Sequence, residues 1–272
     1  MSAKLLALIV VYGCEPTDTP SMRSLVQCAS GGCELRIIVW DNSPRPHDVD
    51  WKALGQTGAY ISTPDNLGLS TIYNRVIGQH LQVGEHLLLL DQDSELPTDF
   101  LEKATAAIAA HPEVDLFLPM VRANSRWASP VTYLCGWGRQ WRAGVVGCIP
   151  SKRVCAINSG MIISSAYLHG SFPGYDERLR FYGTDTQFML DYMDRRSSLC
   201  VIDSVILHDL SFFSGTPAKR AEKFKVMRAA YHFIYERRPY IQQIAVKLMM
   251  FAIAIRYAVR HRNIDFFRDN HK

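Results

Sequence analysis

Residues 87–93 read Leu-Leu-Leu-Leu-Asp-Gln-Asp, an uncharged apolar run that ends abruptly in two carboxylates one residue apart. Four leucines without polar alternation suit a central strand of a sheet covered on both faces. A chain leaving such a strand emerges at the carboxyl edge, where open α/β sheets bind ligands. Asp91 and Asp93 at that edge are costly unless something positive neutralises them. A hard divalent cation, Mg²⁺ or Mn²⁺, bridged to phosphate oxygens is the natural partner. Ser94-Glu95-Leu96-Pro97 follows, so the competing reading is a turn with solvated acids ahead of a helix. The leucine strand in front favours the cation site.

Outward from this strand, the first hundred residues alternate strand-like and helix-like patterns. Strands are expected over residues 5–12, 35–40, 59–62 and 86–90, and helices over 21–29, 70–81 and 99–110, the last stopped by His111-Pro112. Such alternation predicts an α/β fold with a mostly parallel, doubly covered sheet and right-handed crossovers. Polar residues then fall at strand ends: Tyr12 and Gly13, Asp41 and Asn42, Asp65-Asn66-Leu67-Gly68, and Asp91-Gln92-Asp93. Together they would line one sheet edge, the expected place for a nucleotide pocket. Tyr12 can stack on a base, and Asp41 can accept an imide N–H of uracil or thymine.

Beyond residue 116 the pattern is less regular. Strands are expected over 116–121, 156–164 and 199–207, and a helix over 184–196. Between the first two lies Gly136-Trp137-Gly138-Arg139-Gln140-Trp141-Arg142, a composition suited to a loop or hairpin lining a site. From about residue 218 to 262 the chain reads as basic and helical, with a break near Arg238-Pro239.

With 272 residues, 48% hydrophobic and 21% charged, the chain can bury a proper core and is not a disordered one. The net charge of +4 is unevenly placed. After residue 218 Lys and Arg outnumber Asp and Glu by about three to one, while the preceding part is net acidic. That points to an anionic surface. Nucleic acid is disfavoured as a partner, since basic and aromatic residues do not alternate as a stacking groove. Residues 241–260 make a helix too apolar for a free surface; it either packs on the body or lies in a membrane interface. Interrupted by Lys247 and Arg256, it is expected not to span a bilayer. Seven cysteines without a C-x-x-C pair, and no signal-peptide pattern, predict reduced, buried thiols and a cytoplasmic protein.

Four blocks carry a family resemblance: Ile38-Val39-Trp40-Asp41-Asn42-Ser43, Asp65-Asn66-Leu67-Gly68-Leu69-Ser70, Leu88-Leu89-Leu90-Asp91-Gln92-Asp93-Ser94, and the stretch from Asn158-Ser159-Gly160 to His208. In this order and spacing, across about residues 5–210, they resemble the family 2 glycosyltransferases, inverting enzymes with the GT-A fold, and within them the bacterial rhamnosyltransferases.

The resemblance implies a GT-A catalytic domain over residues 1–215, its nucleotide-sugar half about 1–115 and its acceptor half about 116–215, with a basic helical segment over 216–272. It implies transfer of L-rhamnose from dTDP-L-rhamnose to a lipid-linked or growing cell-surface polysaccharide. The enzyme would sit at the inner face of the cytoplasmic membrane. Carried over by position, Asp185 looks like the catalytic base. Tyr12, Asp41, Asn66, Gly68, Asp91, Gln92 and Asp93 would hold the nucleotide sugar. Asp93, Asp91 and His208 would hold Mg²⁺ or Mn²⁺. Trp137, Arg139, Trp141 and Asp176 would face the acceptor. Two departures bear on the acceptor side: Gln187 stands where relatives often carry Glu, and Asp191 stands near a usual Arg. The rivals are the same chemistry with a UDP-hexose, a nucleotidyltransferase, and a non-catalytic nucleotide-sugar-binding protein. The second is disfavoured because Gly13-Cys14-Glu15-Pro16 is not a Gly-rich basic loop. Asp185 has its own competing reading, a helix N-cap.

Overall fold

The four leucines form a strand whose alternate side chains enter opposite layers. Leu87 and Leu89 join one hydrophobic cluster, Leu88 and Leu90 the other, all at most 3% exposed. The computed structural model describes residues 3–28, 33–123, 126–207 and 217–261. In chain order the strands are β1 (Lys4–Val11), β2 (Glu34–Asp41), β3 (Gly58–Ser62), β4 (Glu85–Asp91), β5 (Leu116–Ala123), β6 (Arg126–Ser129), β7 (Val131–Leu134), β8 (Trp137–Gln140), β9 (Gly147–Pro150), β10 (Val154–Cys155), β11 (Met161–Ser164) and β12 (Ser198–Leu207). The helices are α1 (Pro20–Cys28), α2 (Leu69–Gln79), α3 (Phe100–Ala110), α4 (Ser165–Gly170), α5 (Thr184–Met193), α6 (Pro217–Tyr235) and α7 (Tyr240–His261).

Nine strands make one sheet in the order β3-β2-β1-β4-β11-β5-β12-β9, with β6 beside β5. The pairs β1–β2, β1–β4, β2–β3 and β5–β12 are parallel, whereas β11 runs antiparallel to both β4 and β5. The strand order reverses at β1, so the crevice between the ends of β1 and β4 is a topological switch point. α1 and α3 pack on one face through Met22, Leu25, Phe100 and Leu101. α2 and α5 pack on the other through Ile72, Val76, Phe188 and Met189. The expected α/β fold with a mostly parallel, helix-covered sheet is what the chain adopts.

The irregular middle differs from the sequence expectation. Of the strand expected over 156–164 only residues 161–164 form one, in the main sheet, and the short β10 just before it joins a three-stranded sheet, β10-β7-β8. Gly160 breaks the run: its φ is +80°, and a Cβ there would meet Ile206 Cδ1 at 2.3 Å. The Trp- and Gly-rich stretch is the hairpin β7–β8.

Of the two readings left open for the C-terminal helices, packing on the body is what one face of them does. Phe224, Tyr231, Ile234, Val246, Met249 and Met250 are buried in the sheet's own cluster. Tyr133 and Tyr235 hydroxyls lie 3.0 Å apart, and Arg238 pairs with Asp191 at 3.1 Å and with Asp194. The opposite face of α7 exposes Ile241, Ile244, Leu248, Phe251, Ile255 and Val259. The expectation that no segment could span a bilayer is corrected. Residues Tyr240–Arg260 are long and apolar enough to cross one by length and composition alone, since Lys247, Arg256 and the terminal Arg260 do not outweigh the run around them. Only 22% of that apolar window is buried.

Candidate active site

The strand ends bring most of the expected nucleotide residues to one edge. Gln92 ties the two sides of the crevice, its Oε1 accepting the Tyr12 N–H at 2.8 Å. The Tyr12 side chain is half exposed at 51%, free to present its ring to a ligand. Gly13 follows with φ +68° and donates its N–H to Ser43 Oγ at 2.8 Å. Asn66 also takes a left-handed φ of 48°, which Asn tolerates better than most residues. Gly68 is needed for close approach, since a Cβ there would sit 2.9 Å from Arg180 Cα. Arg180 Nη2 donates to Asn66 O at 3.0 Å, tying this loop to the segment that leads into α5.

Asp41 sits at this edge but does not face it. Its carboxylate is 0% exposed and accepts from Ser43 N–H at 2.8 Å, Tyr60 O–H at 2.7 Å and His47 N–H at 3.3 Å. His47 Nδ1 lies 2.6 Å from the same Oδ2. Desolvation alone would raise this carboxyl; the donors from Ser43, Tyr60 and His47 outweigh it and hold the group below its usual range. In this arrangement both oxygens are engaged within the chain, so Asp41 orders the 41–47 loop instead of offering an acceptor to the pocket.

Asp185 is placed by a sharp turn. Gly183 caps α5 with φ +87° and packs so closely that a Cβ would meet Ile234 Cδ1 at 2.8 Å. The cap is therefore Gly183, and Asp185 is the second helical residue, not the N-cap. Its Oδ1 accepts from Thr186 N–H at 2.6 Å and Thr186 O–H at 3.3 Å. Burial pushes the carboxyl up to about 6, the Thr186 donors oppose that, and the nearby Asp91 charge adds to it. A carboxylate that titrates there is a competent general base near neutral pH.

Asp91, the last residue of β4, is half-buried and accepts from Ser159 Oγ; Asp93 is exposed. The antiparallel course of β11 explains the Ser159 contact. Met161 pairs with Leu89, so the chain two residues earlier comes level with Asp91. Asn158 joins the same cluster, its Nδ2 donating to Thr184 Oγ1 at 3.1 Å, while its buried Oδ1 has no hydrogen-bond partner among the described residues. Two carboxylates supply too few oxygens to enclose a cation alone. They fit Mg²⁺ or Mn²⁺ that takes its remaining ligands from phosphate and water. His208, expected as a third ligand, lies outside the described residues.

The expected acceptor residues divide into two groups. Asp176 lines a polar groove of about 730 Å³ between the 173–179 loop, α5 and the α6–α7 turn. Gln187 holds that loop: its Oε1 accepts from Asp176 N–H at 2.9 Å and its Nε2 donates to Gly174 O at 3.1 Å. An amide can do both at once where a carboxylate cannot. Asp191 accepts from Gln187 Nε2 at 3.2 Å and pairs with Arg238 of the α6–α7 turn and with Arg195, 3.6 Å away just after α5. Trp137, Arg139 and Trp141 lie instead on the small sheet: Trp137 is 58% exposed, and Trp141 Nε1 donates to Thr132 Oγ1 at 3.1 Å. The hairpin turn packs on α7, where a Cβ on Gly136 would strike Met249. Asn158, Ser159 and Tyr73 were given no role from sequence. Tyr73 is buried on α2, and burial, then the nearby Asp91 charge, keep its hydroxyl protonated.

A scan against protein-family models matches none, and a search of the curated proteins also matches none. Solved structures do match. The chain is similar to residues 1–349 of S. aureus TarS at 14% identity and TM-score 0.54, covering 97% of this chain and 89% of that one. The same fragment in complex with UDP matches at 15% identity and TM-score 0.55, over 84% of this chain and 65% of that one. A longer TarS chain matches at 16% identity and TM-score 0.53; this protein spans only 39% of it. The fold is of the GT-A type. At this identity the likeness speaks for architecture, and the chemistry must be argued from the site.

Proposed function

We propose that this chain is an inverting glycosyltransferase that moves L-rhamnose from dTDP-L-rhamnose to a lipid-linked or growing polysaccharide acceptor. The observation that carries the proposal is Asp185: a carboxyl pushed up to about 6, beside Asp91, at the switch-point edge of the sheet. Direct displacement at an anomeric carbon needs a base at the acceptor hydroxyl and stabilisation of the departing diphosphate. Asp185 takes the hydroxyl proton. Asp91 and Asp93 would hold Mg²⁺ or Mn²⁺, which supplies charge stabilisation to the diphosphate when bound. Tyr12 offers a ring to the base, and Asn66 and Gly68 shape the nucleoside side. Asp41 acts by holding the loop next to it. Asp176, in the polar groove, faces the acceptor, while Trp137, Arg139 and Trp141 serve its lipid-proximal part.

A second reading, a UDP-hexose donor, is favoured by one observation: the TarS fragment of this fold is solved with UDP and with UDP-GlcNAc. Thermal-shift titration with dTDP, UDP, GDP and CMP, with and without Mn²⁺, separates the two. The rhamnose reading expects dTDP to give the largest metal-dependent shift, and Asp93→Ala to abolish the metal dependence and turnover while the fold survives. A UDP-only response moves the donor to the second reading; full activity of Asp93→Ala in excess EDTA removes the metal from the mechanism.

The exposed apolar stripe of α7, flanked by Lys247 and Arg256, supports docking at an anionic membrane face on the cytoplasmic side. Leu134 and Trp137 on the adjoining hairpin are exposed as well, and Trp suits the interface between lipid and water. Leu248→Glu with Phe251→Glu, both on the solvent face, is expected to release the protein from anionic liposomes by at least about tenfold with soluble-acceptor turnover intact. Unchanged liposome binding would sink the docking idea.

A further inference from the structure

At the far end of the same sheet, three ligating side chains converge that the transfer chemistry does not use. We propose that Cys148, Cys200 and His111 bind a thiophilic divalent cation such as Zn²⁺. β9 runs antiparallel to β12 with Cys148 directly opposite Cys200. Ser151 N–H donates to Ser197 O at 2.9 Å, which makes residues 197 and 151 a hydrogen-bonded pair. Counting inward with period two, 200 and 148 form a non-hydrogen-bonded pair, the kind whose side chains lie closest.

His111 arrives from a third element. It caps the C-terminus of α3, its N–H donating to Ala107 O, and Pro112 prevents the helix from continuing past it. A ring nitrogen of His111 and the two Sγ atoms all lie within 4.8 Å of one another. A tetrahedral zinc ion, with Zn–S of about 2.3 Å and Zn–N of about 2.0 Å, sets two sulfurs and one nitrogen roughly 3.5–3.8 Å apart. Closing the difference takes side-chain shifts of about 1 Å. Glu113 Oε1, 3.7 Å from His111 Nδ1, adds negative charge beside the ring.

The donor set decides the class of ion. Two thiolates and an imidazole suit Zn²⁺, and they do not suit the hard Mg²⁺ expected at Asp91 and Asp93. Access is graded, since Cys200 is buried, His111 half-buried and Cys148 exposed. An ion can therefore enter from the Cys148 side, where solvent supplies a fourth ligand. Cys200 lies seven residues before the carboxyl end of β12, roughly 23 Å along the strand. The site is too far from that edge to share its chemistry. Its effect would be to clip edge strand β9 and the end of α3 onto β12. The rival for the same geometry is a Cys148–Cys200 disulfide, which the structure does not contain.

The test uses the full chain, freed of metal and kept reduced by a non-chelating phosphine, titrated with Co²⁺ in excess Mg²⁺. The expected result is one equivalent bound with a thiolate-to-cobalt charge-transfer band and tetrahedral d–d absorption, both bleached by Zn²⁺. Cys148→Ser, at an exposed position that tolerates the change, should lose the charge-transfer intensity and weaken Zn²⁺ binding by more than about tenfold. His111→Ala, which keeps both thiolates, should weaken Zn²⁺ binding by more than about tenfold and alter the tetrahedral d–d absorption, with sugar transfer unaffected. Asp93→Ala should leave the cobalt spectrum as it is, which keeps this site distinct from the transfer site. Absence of the band in the wild-type chain, or its persistence in Cys148→Ser, overturns the proposal. So does a Cys148–Cys200 disulfide that forms quantitatively in air while the reduced protein takes up no metal.

Discussion

Two aspartates near the same sheet edge have opposite fates. Around Asp41 the chain folds back within six residues, and Ser43, His47 and Tyr60 aim their donors at one carboxylate. Around Asp185 the donors are Thr186 and the residue's own backbone N–H, and Asp91 adds a like charge. Burial raises both carboxyls; at Asp41 the hydrogen bonds win, at Asp185 desolvation wins. A saturated carboxylate is a structural hub, whereas an under-satisfied one beside another acid is poised to take a proton. The surroundings, not the residue type, assign the role.

The largest expected effect breaks the comparison on activity. Asp185→Asn preserves shape and the contact with Thr186 but removes basicity, so transfer should fall about 10²–10⁴-fold with donor affinity near normal. A single-turnover assay alongside donor titration checks it; retained transfer would return Asp185 to a structural role. Asp41→Asn should show the reverse profile. It removes charge from an acceptor with several internal donors, costing about 2–4 kcal/mol of stability at pH 7 by denaturant unfolding. Because the folded-state pKa of Asp41 is depressed, its contribution is present above the unfolded value near 3.8 and is lost as pH falls through the folded one. The Asp41→Asn deficit should therefore shrink on acidification.

The smallest effect sharpens the contrast by its sign. Asp185 has a raised folded pKa, so the wild-type chain loses stability as pH rises from about 3.8 to about 6. Asp185→Asn should be more stable than wild type by on the order of 1–3 kcal/mol at pH 7, and equal to it at pH 4. Wild-type turnover should fall below about pH 6 as the base is protonated. A stability gain equal at both pH values would show that the carboxyl is not strained by ionisation.

Local pattern determined a good deal of this molecule. The leucine run of β4 and the alternation before it dictate a doubly covered parallel sheet, since only a strand buried on both faces can carry four consecutive leucines into Asp91. Arg238-Pro239 marks the break between α6 and α7 because proline cannot be accommodated in a helix interior. The polar clusters at residues 12–13, 41–42, 65–68 and 91–93 fall at one edge because parallel strands all end on the same side. What tertiary structure alone decided is everything that depends on strand direction and cross-chain distance. Ser159 meets Asp91 only because β11 runs against its neighbours, and no pattern in residues 156–164 declares that reversal. Cys148 faces Cys200 only through the β9–β12 register. Asp41 is closed off by Tyr60, nineteen residues away, and Asp185 is buried next to the charge of Asp91. A sequence names which groups can hydrogen-bond; only folding brings some of them together and leaves others apart, and that distribution sets which acid is inert and which is reactive.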